Sequence, residues 1–169
     1  QQTLGLAEVL FLPTGDPPHR SEPLADANLR LAMVRAAVAD QPGFIVDDRE
    51  VRRSGVSYSV DTMTELRAEF PTRPLCLLLG MDAFLGLPGW LRWQELFELV
   101  HVVVAHRPGW KAPTKGPLGR LYIQAVTQLE ISSTELRQLV EADRDPRYLV
   151  PDPVREIIRE SRCYARPHD

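Results

Sequence analysis

Leu75-Cys76-Leu77-Leu78-Leu79-Gly80-Met81-Asp82 is the stretch that decides the fold. An apolar run continues without polar interruption, and a glycine and an acid follow close behind. A strand with one wet face alternates apolar with polar, so an unbroken run reads as a strand covered on both faces in a parallel sheet. The design recurs at Val102-Val103-Val104-Ala105, which ends in His106-Arg107-Pro108-Gly109. Upstream, Glu8-Val9-Leu10-Phe11-Leu12 empties into Pro13-Thr14-Gly15-Asp16-Pro17-Pro18, a stiff loop that then carries His19 and Arg20. Helical spacing fills the intervals. Leu29, Met33 and Ala37 share a stripe between Asp26 and Asp40, and Pro42-Gly43 ends it before a strand at Phe44-Ile45-Val46. Asp47 to Ser57 is a polar, arginine-rich stretch. Met63, Leu66 and Phe70 follow a candidate cap at Ser59, and Arg92 to Leu99 is helical. Leu121-Tyr122-Ile123, a helix after Ser132 and a last helix capped by Asp152, with Pro153 in its first turn and Val154, Ile157 and Ile158 inward, complete the chain.

Strands alternating with helices predict an α/β fold with a Rossmann-like, doubly wound parallel sheet, residues 1–169 forming one domain and 132–169 its small C-terminal helical lobe. Ligands bind outside the carboxyl ends of such strands. The polar clusters at Thr14 to Arg20, Gly80 to Asp82 and His106 to Gly109 are therefore expected to form one cleft.

Composition narrows the partners. The 169 residues are 44% hydrophobic with a net charge of -3, which leaves no general field for gripping nucleic acid or an anionic membrane. No apolar run approaches the ~20 residues of a membrane span, and no signal peptide opens the sequence, so cytoplasm is expected. Cys76 and Cys163 have neither CxxC nor histidine spacing and read as free thiols. Only Lys111 and Lys115 are lysine among 20 basic residues, so a lone arginine is weak evidence for a phosphate site. Lys111 to Gly119 reads as an exposed loop.

The densest local signal is Ile131-Ser132-Ser133-Thr134-Glu135-Leu136-Arg137. Ser132 and Glu135 form a capping box. Ser133, Thr134 and Arg137 then converge with free N–H groups at the positive end of a helix, a ready polyphosphate site. From this segment alone, a well-capped surface helix with an exposed arginine is the simpler reading. Trp90, flanked by Pro88-Gly89, has no helical core periodicity and suits stacking against a flat cationic ring, or pinning a loop as Trp93 does. Pro17-Pro18-His19-Arg20 could hold a phosphate or be a solvated turn. Ser57-Tyr58-Ser59-Val60-Asp61-Thr62 gathers hydroxyls and N–H groups at another helix start, and Asp82 could face ribose hydroxyls or merely cap. GxxxxGK[ST], GxGxxG, HExxH and GxSxG are absent, which removes support for kinase-type, zinc-protease and serine-hydrolase readings.

Taken together, Leu12 through Arg20, Val56 through Thr62, Leu79 through Asp82, Trp90 through Leu96, His106 through Gly109, Ile131 through Arg137 and Leu149-Val150-Pro151 resemble, in order and spacing, the bacterial nicotinate-nucleotide adenylyltransferases. The resemblance implies transfer of AMP from ATP to nicotinate mononucleotide, with deamido-NAD and pyrophosphate as products and Mg2+ carried mainly by phosphates and water. It implies that Trp90 stacks on the nicotinate ring, with Tyr58, Ser59 and Leu91 around its carboxylate. Gly15, His19 and Arg20 would border the mononucleotide phosphate, and Gly80, Asp82 and Arg107 the ATP cleft. Ser132, Ser133, Thr134 and Arg137 would clamp the β- and γ-phosphates, Arg137 being the catalytic candidate. Related enzymes acting on nicotinamide mononucleotide or phosphopantetheine, and a non-catalytic nucleotide-binding module, are the alternatives. A homo-oligomer stays open. The family's HxGH motif does not precede Gln1, and His101, His106 and His168 are too scattered to replace it, so residues 1–169 alone are expected to turn over weakly or not at all.

Overall fold

The computed structural model describes residues 1–16, 25–106, 120–127, 129, 131 and 132–165. His19, Arg20, Arg107, His168 and the Lys111 to Gly119 segment lie outside the described residues. Two compact units emerge: Gln1–Ser57 with Glu130–Asp169, and Tyr58–Leu129.

In the first unit β1 (Val9–Phe11) runs parallel to β2 (Phe44–Val46), pairing Val9 with Phe44 and Phe11 with Val46. Helix α1 (Ala27–Val38) connects them, its start fixed by Asp26, which accepts from Leu29 N at 2.8 Å. Its most buried residues are Leu31 and Val38, two turns apart, while the expected stripe of Leu29, Met33 and Ala37 is half-buried beside them. The polar stretch after Asp47 contains a short helix that its composition conceals, α2 (Arg49–Arg52). The ion pairs that settle it bring Arg49 onto Asp47, and Arg35 and Arg52 onto Asp48. Residues 132–165 belong to this same unit and supply α6 (Ser133–Glu141) and α7 (Asp152–Ser161). Val154 and Ile158, one turn apart on α7, are buried, and α7 packs on α1. Pro151 rather than Asp152 is the cap residue of α7; Asp152 is already helical, with its charge in the first turn where the dipole favours it.

The second unit holds a three-stranded parallel sheet, β3 (Cys76–Gly80), β4 (His101–His106) and β5 (Leu121–Ala125), with β4 in the middle. Helices α3 (Ser59–Glu69), α4 (Met81–Leu85) and α5 (Trp93–Leu99) accompany it. Val102, Val103 and Val104 are all buried, so β4 meets the expectation of cover on both faces. Each such side chain contributes roughly 1.5–3 kcal/mol by leaving water. β3 does not meet it. Leu78 is 46% exposed although its register partner Val103 is 4% exposed. Among the described strands β3 is bonded on one edge only, and on the other side of β4 the register partner Tyr122 is 49% exposed too, so of these three only the β4 residue is covered on that face. The fold is thus α/β with parallel sheets, as expected, its described strands divided between two sheets.

Candidate active site

Past the end of β1, Arg30 of α1 donates one Nη2 to two carbonyls, Thr14 O at 2.7 Å and Gly15 O at 2.8 Å. Its Nε is buried and has no partner among the described residues. On the other side Asp16 bridges Val56 in parallel, and Ser57 N donates to Asp16 O at 3.0 Å. A Cβ on Gly15 would collide with the Glu50 carbonyl and lie 3.3 Å from Ser57 Oγ. Only glycine lets this loop pass so close to the α2 backbone. Sequence reasoning missed Arg30, because a guanidinium bonded to distant carbonyls has no local signature.

Also in the first unit, Ser132 caps α6 as the sequence predicts. Ser132 Oγ accepts from Glu135 N at 3.1 Å, while Ser132 N and Oγ both donate to Glu135 Oε2, at 3.0 and 2.8 Å. Both donors of Ser132 are therefore engaged, and its role is to build the helix end. The N–H groups of Ser133 and Thr134 donate to no acceptor among the described residues, and both side chains are exposed. Arg137 leans back along the helix, its Nη2 donating to Thr134 Oγ1 at 3.3 Å. A cation, a hydroxyl and two N–H groups thus share one helix end. Burial and neighbouring Cys163 push the Tyr164 phenol up, against the charges of Arg137 and Arg30, so Tyr164 is a neutral neighbour of both guanidiniums.

In the second unit Ser59 is the first residue of α3, and Tyr58 is its cap residue, correcting the expected cap. Tyr58 bonds no helix N–H through its side chain; its carbonyl accepts from Asp61 N and Thr62 N. The N–H groups of Ser59 and Val60 are thereby left unused among the described residues. A second arm comes to this helix start. Arg92, in the left-handed region at φ 51, forks onto Glu95 at 2.8 and 2.6 Å and reaches Asp61 of α3 at 3.5 Å. The two carboxylates hold the Arg92 guanidinium up, Glu95 first, and Arg92 in turn lowers the Glu95 carboxyl. This tie brings the Trp90-Leu91 segment to the start of α3. Trp90 is half-buried, its backbone N–H donating to Leu87 O at 2.9 Å, and among the described residues no ring is stacked on it. Trp93, by contrast, packs edge-on against Phe97 at 6.2 Å. Arg92 was also missed in the sequence, although its i,i+3 spacing to Glu95 at a helix start was visible.

The carboxyl ends of β3, β4 and β5 line up, with Gly80 opposite Ala105 and His106 opposite Ala125. Gly80 passes directly into α4 with no loop between, Asp82 lies exposed in the first turn, and a Cβ on Gly80 would meet nothing within 4 Å among the described residues. Among the described residues no three His, Cys, Asp or Glu side chains gather as a metal site.

Strand ends with open space and helix starts with unused donors suit a phosphorylated ligand, and the fold is that of the α/β nucleotidyltransferases. Residues 1–139 match the cytidylyltransferase-like family. A protein of Aeromonas hydrophila named "Probable nicotinate-nucleotide adenylyltransferase" is 42% identical, over 97% of this chain and 86% of its own length. One of the same name from Methylococcus capsulatus is 42% identical over 98% of this chain and 89% of its own. The solved Plasmodium falciparum nicotinic acid mononucleotide adenylyltransferase complexed with NaAD has the same fold, with a TM-score of 0.77, covering 94% of this chain and 83% of that one at 16% identity. The chain belongs to the cytidylyltransferase-like family and, more narrowly, to the nicotinate-nucleotide adenylyltransferases.

Proposed function

We propose that this chain transfers the AMP moiety of ATP to nicotinate mononucleotide, forming deamido-NAD and pyrophosphate in NAD biosynthesis. The reading is carried by 42% identity over nearly the whole chain to relatives bearing that name. An oxygen of the mononucleotide phosphate attacks the α-phosphorus of ATP in line. The bond to the α,β-bridging oxygen breaks, and pyrophosphate leaves with the electron pair. Such a transfer needs alignment and charge neutralisation rather than a covalent partner.

Charge builds on the departing pyrophosphate, and we assign its β- and γ-phosphates to the N–H groups of Ser133 and Thr134, their hydroxyls, and Arg137, with Ser132 holding the helix end in shape. Magnesium enters as the ATP complex. The lack of a gathered acidic cluster among the described residues is compatible with an ion held by phosphates and water. Gly80 and Asp82 are assigned to the nucleotide, and Gly15 to the mononucleotide phosphate. Trp90 is assigned to the pyridinium ring, worth ~0.5–2 kcal/mol. The unused N–H groups at Ser59 and Leu91, with Tyr58 beside them, are assigned to the nicotinate carboxylate, an acceptor that the amide cannot match in charge. His19, Arg20 and Arg107 complete the assignment from the resemblance. Both substrates are small and water-soluble, and cytoplasm is the compartment we assign. No described helix is long and apolar enough to cross a membrane.

Arg137→Ala tests the leaving-group assignment. Turnover is expected to fall about 100- to 1,000-fold, the scale of losing one preorganised donor to developing charge, while mononucleotide affinity by calorimetry stays within about twofold. A parallel loss of mononucleotide affinity would refute the role.

A further inference from the structure

The start of α3 and the Trp90-Leu91 segment share a charge arrangement that the proposed reaction leaves unexplained. Arg92 immediately follows Leu91 and lies in the left-handed region, at φ 51 and ψ 38. A side chain disfavours that backbone, so something must hold it there. Its own guanidinium does. Nε and Nη2 donate to the two oxygens of Glu95, at 2.8 and 2.6 Å, and Nη1 reaches Asp61 of α3 at 3.5 Å. All three side chains are close to half exposed, and exposed ion pairs add little to stability. Folding alone is therefore a weak reason to keep a strained arginine at this position.

The charges of the cluster do not balance. Asp61 and Glu95 bring two negative charges against the one positive charge of Arg92, and neither carboxylate has another cation among the described residues. The cluster stands where the nicotinate carboxylate is assigned. Asp61 is the third residue of α3, in the same turn as the Ser59 N–H, and Arg92 is the chain neighbour of the Leu91 N–H. Two bare acids at this place would repel a substrate carboxylate and leave a neutral amide almost untouched. The start of the helix offers only about half a positive charge in return. Arg92 offsets one of the two acids, and the fork onto Glu95 keeps its guanidinium from swinging away into solvent.

We propose that Arg92 is a specificity-determining residue: by offsetting Asp61 and Glu95 it lets the start of α3 prefer the mononucleotide that carries a carboxylate over the one that carries an amide. The inference rests on the proposed function, and in particular on the assignment of the carboxylate to Ser59 and Leu91. Arg92 acts through its charge on ground-state affinity and takes no part in the transfer step.

Calorimetric affinities for nicotinate and nicotinamide mononucleotide, measured at low ionic strength in the parent and two variants, test it without requiring turnover. Arg92→Gln is expected to lower the ratio of acid to amide affinity about fivefold, because it bares two acids. Asp61→Asn is expected to raise the ratio about threefold, because it removes one of them. Both differences should fade in about 0.5 M salt, where the Debye length is about 4 Å. The two variants break the same tie, so opposite signs separate charge from shape, and Asp61→Asn alone decides the matter if Arg92→Gln does not fold. A change of the same sign in both variants, or a ratio that Arg92→Gln leaves unmoved, would overturn the proposal and leave the tie structural. A parent that binds the amide as tightly as the acid would instead overturn the carboxylate assignment, and this proposal with it.

Discussion

Gly15 follows the end of β1 and Gly80 closes β3, so the two hold matching places at the carboxyl ends of their sheets. Their surroundings are opposite. Gly15 is crowded, with the Glu50 carbonyl where a Cβ would stand and Arg30 gripping its own carbonyl. Gly80 has an ordinary extended backbone, at φ -71 and ψ 161, and open space around it among the described residues. The fold itself requires the first glycine. Among the described residues nothing would meet a side chain at the second, and under the proposed function that space is left to the nucleotide. The contrast separates a glycine that local packing requires from one that the proposed function assigns to an open nucleotide cleft.

The contrast breaks most readily at Gly15. Gly15→Ala is expected to cost about 2–3 kcal/mol in urea unfolding, since the clash is with backbone that cannot rotate away, and turnover should fall with it. A variant as stable as the parent would show that the loop relaxes freely. Gly80→Ala should do the reverse. Stability is expected to stay within about 0.5 kcal/mol or rise slightly as the unfolded chain loses freedom, while KM for ATP rises about tenfold. Unchanged ATP kinetics would remove Gly80 from the nucleotide cleft.

Asp47→Asn sharpens the same comparison from behind the wall. Asp47 accepts from Arg49 N at 3.0 Å and Arg49 Nε at 2.7 Å, and so anchors the helix whose Glu50 carbonyl crowds Gly15. Burial pushes the Asp47 carboxyl up, but the bonds from Arg49 and the charges of Arg49 and Arg52 outweigh it and leave it below its ordinary 3.8. A carboxyl lowered by folding stabilises above its unfolded pKa and loses that contribution as pH falls through the folded value. The substitution is therefore expected to cost about 1 kcal/mol near neutrality, and the gap to the parent should close below about pH 4. A gap that persists in acid would mean that the carboxylate charge is irrelevant there.

What the sequence made legible was local. The capping box of Ser132 and Glu135 and the valine run of β4 are set by neighbours three residues apart or adjacent, and both stand in the structure. What stayed hidden was long-range. The reason for glycine at position 15 is the carbonyl of Glu50, and the grip on its loop comes from Arg30, one arginine among many. The left-handed turn at Arg92 and its reach to Asp61 likewise depend on a second helix being present. Leu78 reads like its strand neighbours, yet its exposure depends on what covers the sheet face, which no stretch of sequence reports. The caps of α3 and α7 each fell one residue from the expected serine and aspartate, because those side chains serve as first-turn residues rather than caps.

The most direct test of the central claim is the rate of dinucleotide formation by the protein with MgATP and either nicotinate or nicotinamide mononucleotide. The account predicts deamido-NAD and equimolar pyrophosphate, with kcat/KM for the acid exceeding that for the amide by at least about tenfold, the worth of one well-placed charge-assisted hydrogen bond. A preference for the amide, or binding of both substrates without pyrophosphate release, would contradict it.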